Sequence, residues 1–439
     1  MNKYSDTTKQ FLLATKRSEI EALHQLASNC QVITFVCELI HQLQRERGIS
    51  NIFLISKSTR FCEQRRNQIE ASINAEEMLR SQLKAKYLQV SDSASNMRLF
   101  NLIALALQDM DHVPSLRRKI ENQLLTAAQS TRAYCRVISA LLAVVFEASD
   151  VASDPKITQQ LVALFNFIQG KEFAGQERAW GVVGFSQSTF DKRLCERIKQ
   201  LEVSQQDSFK TFFEFALESD SQQWQSLESA DSVEPLSQMR TMIQQLANGT
   251  PIAAEISEVW YELTTARIDK MHTVEEQLSA GLLNQTKSQV AKVEDDLLNH
   301  RKRVNTAANK ISDMDYWLST QLTSNEDAKN TLQQYDIKNH TQTDQLTGNR
   351  AFYDLIKEQS DHIKRMELEL DTAKQAFVEH KKIDRAKLLI MQEMNFDEAE
   401  AHRVIQRRAM DEQTSLMAIS ETIIKTAAAL HKSLKSLES

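Results

Sequence analysis

A chain of 439 residues with only eight glycines and four prolines holds too few turn-formers for a β-rich fold and is too long for one simple core. Its formal net charge of −6 excludes a globally basic nucleic-acid coat, and its five scattered cysteines, with no Cys-x-x-Cys pair, argue against a disulfide frame or a zinc finger. Leu, Ala, Gln, Glu, Lys and Arg dominate. The expected fold is therefore all-α: a large helical bundle, a long coiled-coil-like helical linker and a small C-terminal three-helix bundle.

In chain order, residues 1–33 read as an N-terminal helix without an apolar segment long enough for a signal peptide. Residues 34–290 read as the large bundle, in which Pro114, Pro155, Pro235 and Pro251 each close one helical pattern and open another. The most apolar run, VISALLAVVF (Val137–Phe146), is half of the roughly 20 residues a membrane helix needs. A cytoplasmic protein without membrane contact is expected. Residues 291–375 form the linker: Val290, Leu297, Val304, Ile311 and Leu318 recur every seven residues, and the spacing resumes at Ile356, Ile363, Leu370 and Phe377. Such spacing suits helices packed lengthwise, within the chain or across a homodimer. Residues 376–437 read as three short helices, with Asp397 and Glu400 as a capping box for the second and Thr414 or Ser415 opening the third.

Two segments concentrate unusual chemistry. LIHQLQRERGISNIFL (Leu39–Leu54) and GKEFAGQERAWGVVGF (Gly170–Phe185) each place a Glu-Arg pair beside glycine in an apolar helix. A buried guanidinium must be matched, because leaving it bare costs several kcal/mol. Glycine costs roughly 1 kcal/mol in a helix interior but lets another group approach the backbone. Two readings follow. Glu46–Arg47 and Glu177–Arg178 are structural ion pairs at tight helix crossings, or Arg47 and Arg178 face each other as a clamp around a small planar anion. Nitrate, nitrite, bicarbonate and small carboxylates all fit the second.

Basic residues also gather near the C-terminus: Lys381, Lys382, Arg385 and Lys387, then His402, Arg403, Arg407 and Arg408. Acidic neighbours keep the region near neutral, so a solvated helix face and a phosphate-facing surface are both open.

The first pair of segments resembles the nitrate- and nitrite-sensing NIT domain over roughly 34–283. That resemblance implies a nitrate or nitrite ligand held by Arg47 and Arg178, with Gly48 and Ser50 of the first segment and Arg240 of LSQMRTMI beside them. IDRAKLLIMQEMNFDEAEAHRVIQRRAMDEQTSLMAISETII (Ile383–Ile424) is similar to the ANTAR domain, with Leu388 where many members have Gly and Ile390 where Leu is usual. It implies an RNA-binding antiterminator that recognises paired hairpins in a leader mRNA and reaches RNA polymerase only through the transcript. Contacts are expected from Arg385, Lys387, Arg408 and Ser415, then Lys382, Gln392 and Arg407, with Ala386, Ala399, Ala409 and Met410 packing the helices. Together the resemblances imply a one-component regulator with no cofactor beyond its anion. The alternative is an anion sensor that signals through helical protein contacts without RNA. No metal-ligand spacing, phosphate loop or nucleophile elbow marks an enzyme.

Overall fold

The computed structural model describes residues 3–56, 61–88, 97–150, 154–187, 190–228, 230–246, 256–308, 382–391 and 398–435, with isolated positions at 365, 368–370, 379, 394 and 396. Among the described residues every regular element is a helix: α1 (Lys3–Ser56), α2 (Cys62–Leu83) with a π-helical turn (Lys84–Leu88), α3 (Met97–Asp111), α4 (Val113–Glu121), α5 (Ala127–Asp150), α6 (Pro155–Ser186), α7 (Lys192–Phe215), α8 (Glu218–Leu227), α9 (Ala230–Gln245) and α10 (Ile256–Ala308). Three further helices follow: α11 over 382–391, α12 (Glu398–Asp411) and α13 (Leu416–Lys435). None of them is long and apolar enough to cross a membrane. No disulfide joins the cysteines.

The chain divides into two compact units. The smaller takes 1–27, 152–155 and 284–371. In it the start of α1 meets the second half of α10, where His24 Nε2 lies 3.1 Å from Glu294 Oε1. Val290 is buried and Val293 and Leu297 are half-buried, as the inward positions of a heptad seam should be. Of the later positions of that repeat, Leu370 is half-buried, and Ile311, Leu318, Ile356, Ile363 and Phe377 lie outside the described residues. No break occurs at 33/34 or at 290/291, since α1 and α10 run through both.

The larger unit holds the bundle and α11–α13. Along α1, Leu26, Cys30, Ile33, Cys37, Ile40, Gln44, Arg47 and Asn51 follow one another at alternating steps of four and three, and all are buried. This spacing makes one inward stripe on a helix. The stripe is apolar to Ile40 and polar beyond it. The change in chemistry without a change in direction carries charge into the core.

Pro114 and Pro155 sit in the first turn of α4 and α6, where a missing N–H costs nothing. Pro235 does not separate helices: it lies inside α9, early enough that one backbone bond is lost without ending the helix. Pro251 lies outside the described residues. In the terminal domain Ala386, Ile390, Ala401, Ile405, Ala409 and Ile419 form the core. Ser415 opens α13, accepting the Ala418 N–H at 3.2 Å, as the cap pattern required. Met410 does not pack there; it is 78% exposed, because Ala409 already takes the inward direction and the next residue is rotated by about 100°.

Candidate functional site

The two Glu-Arg segments lie on α1 and α6. Consecutive helix residues point about 100° apart, so a Glu and the Arg after it do not face each other. Neither Glu46–Arg47 nor Glu177–Arg178 is an ion pair. Each glutamate instead takes a forked arginine from a more distant helix. Glu46 accepts from Arg117 Nε at 2.8 Å and Nη2 at 2.9 Å, and from the Tyr134 hydroxyl at 2.7 Å. Glu177 accepts from Arg240 Nε and Nη2, both at 2.7 Å, and from Gln205 at 2.7 Å. The two segments are used in parallel ways.

Each arginine enters the space left by the other segment's glycine. A Cβ on Gly48 would lie 3.0 Å from Cζ and Nη2 of Arg178. A Cβ on Gly175 would lie 2.5 Å from Nη2 of Arg47. The exchange is reciprocal, and it explains why each Glu-Arg pair has a glycine beside it.

The two guanidiniums differ in their charge partners. Arg47 donates to Glu172 through Nη1 at 2.6 Å and Nη2 at 3.1 Å, and Gln44 and Gln176 also donate to that carboxylate, at 2.7 and 3.0 Å. Burial opposes its charge, but Glu172 outweighs burial and raises its pKa. Arg178 is equally buried and donates only to neutral groups: Thr265 Oγ1 at 2.9 Å and the Gln44 carbonyl at 2.7 Å. Its Cζ stands 5.5 Å from the centre of the Tyr261 ring. Burial lowers its pKa, Tyr261 offsets part of this, and Arg47 lowers it further. Among the described residues no carboxylate hydrogen-bonds it. Arg178 Nε, Arg47 Nε and Gln44 Oε1 are buried without a hydrogen-bond partner. Asp269 and Glu172 act on the Arg178 charge without a hydrogen bond to it, so Arg47 has a carboxylate in direct contact and Arg178 has none among the described residues.

The remaining expected anion ligands fall to the sides. Arg240 is held by Glu177, Glu202 and Gln205. Ser50 is fully buried on the Glu46 side, beside Tyr134.

On the terminal domain, Arg385, Arg407 and Arg408 are exposed, and Arg408 Nε donates to Glu412 at 2.6 Å. Lys382 pairs with Glu421, and Ser415 is spent on its cap. Gln392 lies outside the described residues, as do Asp397 and the side chain of Ala399. Lys387 is 5% exposed and pairs with Asp384 at 2.6 Å. Lys387 and His402 form one wall of a small cleft whose other wall includes Phe173, Gln176, Gln200 and Ser204. Here α12 meets α7: Glu400 pairs with Arg193, and Arg403 Nη1 donates to Glu196 at 3.3 Å.

The sequence model for nitrate and nitrite sensing, NIT, matches residues 38–283, more than half of the chain and all of both Glu-Arg segments. The chain belongs to the NIT family. The ANTAR domain model matches residues 371–424, so the NIT match is followed by a second one that takes in α11, α12 and the start of α13. Neither match is to an enzyme family. A nitrate regulatory protein of Klebsiella oxytoca is 25% identical over 415 residues, covering 94% of this chain and 93% of its own length. The solved structure of the NasR transcription antiterminator matches with a TM-score of 0.58 at 24% identity, over 96% of this chain and 99% of that one, and so shares the fold.

Sequence reasoning about the NIT domain missed four members of the cluster. Glu172 sits inside the second segment, and the need of Arg47 for a counter-charge was the signal that pointed to it. Gln44, Tyr261 and Thr265 carried no comparable mark.

Proposed function

We infer that this NIT protein senses nitrate or nitrite in the NIT domain and answers by freeing its ANTAR domain to bind leader RNA hairpins, causing antitermination of transcription. The observation that carries the reading is Arg178, a fully buried guanidinium with no hydrogen-bonded carboxylate, beside a glycine. Its present acceptors are a hydroxyl and a carbonyl. An anion offers charge-assisted hydrogen bonds of about twice the strength of neutral ones in the same low-dielectric space. Nitrate and nitrite are planar and singly charged, which suits both the guanidinium fork and a buried cation with no carboxylate in direct contact. Arg47 supports the seat from the side while remaining tied to Glu172, and Arg240 acts at one remove by fixing Glu177.

The same Glu172 connects the anion seat to the RNA module. Gln176 donates to Glu172 at 3.0 Å and also lines the cleft against Lys387 and His402. An anion at Arg178 competes for the electrostatics of Glu172, shifts Gln176 and loosens α12 from α7. Lys387 and the exposed Arg385, Arg407 and Arg408 then act together on loop phosphates and bases. Turning a mostly-off protein mostly on needs a preference of about 10⁴, or roughly 5.5 kcal/mol, between the two states. Two or three charge-assisted hydrogen bonds at about 1.5–3 kcal/mol each reach that size.

The reading is tested with a two-hairpin leader RNA in gel shifts at fixed salt, with nitrate, nitrite or chloride added. Nitrate or nitrite should tighten binding in the native protein and leave Arg178→Met unchanged. Gln176→Leu should bind the anion normally yet lose the RNA response. RNA binding that ignores the anion in the native protein sinks the reading and favours an output through protein contacts.

A further inference from the structure

A second group of ionisable side chains, none of them used above, lies where α1 meets α10. His272 Nε2 is 3.6 Å from Glu38 Oε2 on α1 and 3.6 Å from Glu276 Oε1 one turn along α10. All three atoms lie within 4.8 Å of one another. These separations are too long for hydrogen bonds. They match the spacing of three ligands around one ion, because a point equidistant from the three atoms is about 2.1–2.4 Å from each, against roughly 2.0–2.2 Å for zinc–nitrogen and zinc–oxygen bonds.

The other side of the ring makes the arrangement specific. His272 Nδ1 faces Glu275 Oε2 at 3.6 Å, and Glu275 is 1% exposed and paired with Lys171. That carboxylate stands behind the ring, on the side where a ligating imidazole turns its other nitrogen toward an acceptor. On the opposite side Nε2, Glu38 Oε2 and Glu276 Oε1 surround one point, and each can supply a lone pair to a cation placed there. The ring is held flat against His41, with centroids 3.5 Å apart and planes within 3°. Gln42 donates to Glu38 Oε1 at 2.7 Å, which leaves Oε2 for the shared point.

We propose that Glu38, His272 and Glu276 bind one divalent transition-metal ion of the zinc class, with solvent completing its shell. One imidazole and two carboxylates suit zinc, cobalt, nickel or manganese rather than the thiolate-loving ions. Glu276 is 63% exposed and gives the ion a way in. The ion ties α1 to α10, the two helices whose Gln44 and Thr265 accept from Arg178. Metal occupancy and anion affinity are therefore linked, and each changes the other by the same factor.

The test uses the full chain, stripped with a chelator and titrated by calorimetry with Zn²⁺ and by absorbance with Co²⁺. One ion per chain is expected. Glu38→Gln and Glu276→Gln should each weaken binding by about tenfold or more, as changes around metal ligands do. His272→Asn should abolish the visible cobalt band. Glu276 is mostly solvent-facing, so its variant separates ligation from folding. Two results overturn the proposal: no stoichiometric uptake of either ion, or a cobalt band unchanged in the Glu38→Gln, Glu276→Gln double variant. The first means that the three side chains meet without an ion; the second places the metal elsewhere on the chain.

Discussion

Replacing Arg178 with methionine should make the anion-free protein more stable, whereas the same change at Arg47 should make it much less so. Arg178 recovers only part of its desolvation through two neutral acceptors and the Tyr261 ring. Methionine keeps the length of the side chain and removes the charge. The acceptors lose little, since the Gln44 carbonyl sits inside α1 and keeps its helical partner. Exchange of a poorly matched buried ion for an apolar group of similar volume stabilises proteins by about 1–4 kcal/mol, and the two lost hydrogen bonds place this case at roughly 1–3. For a domain of this size that corresponds to an upward shift of about 2–10 °C. Arg47→Met instead strands Glu172 at 2% exposure and should cost about 3–5 kcal/mol. Scanning calorimetry suits the comparison, because nitrate absorbs in the ultraviolet and disturbs optical probes. At a hundred times its dissociation constant, nitrate should stabilise the native protein by about 2.7 kcal/mol and Arg178→Met not at all. An Arg178→Met protein that loses several kcal/mol, or still responds to nitrate, would refute the charge accounting on which the site rests.

Gly175→Ala places a methyl group 2.5 Å from Arg47 Nη2, so it should cost about 1–3 kcal/mol by overpacking and abolish calorimetric nitrate binding. Reversing Arg403 to Glu opposes Glu196 across the α7–α12 contact and should raise RNA affinity without nitrate by a few-fold, as exposed pairs are worth about 0.2–1 kcal/mol. Adding Glu196→Arg should return the gel shift to its native value. Gln413 holds a φ of 50° after α12, where the Thr414 N–H reaches back to the Ala409 carbonyl at 2.9 Å. Gln413→Gly should therefore stabilise the terminal domain by about 1 kcal/mol in urea titrations.

Much of this was legible in the sequence, for physical reasons. Scarce glycine and proline marked the helical class, because turns and strands consume those residues and helices avoid them. The Glu-Arg-glycine repeats marked both guanidiniums because charge in an apolar helix has to be explained by a partner. The partners themselves were not legible. Arg117 and Tyr134 reach Glu46 from 71 and 88 residues away, and nothing local in α4 or α5 announces it. The burial of Lys387 against α7 was hidden for the same reason, since a docking face on a helix has the composition of any solvated one. Pro235 misled because a proline early in a helix and a proline between helices have the same local sequence.

The crossed insertion of Arg178 over Gly48 and Arg47 over Gly175 also constrains how such a protein drifts. A larger residue at position 48 presses on Arg178 and on Tyr261, and one at 175 presses on Arg47, so the cost of either change depends on the state of the other helix. Double-mutant cycles on these pairs would be strongly non-additive. Each segment taken alone is therefore nearly frozen, while the two together have one shared path along which they can change.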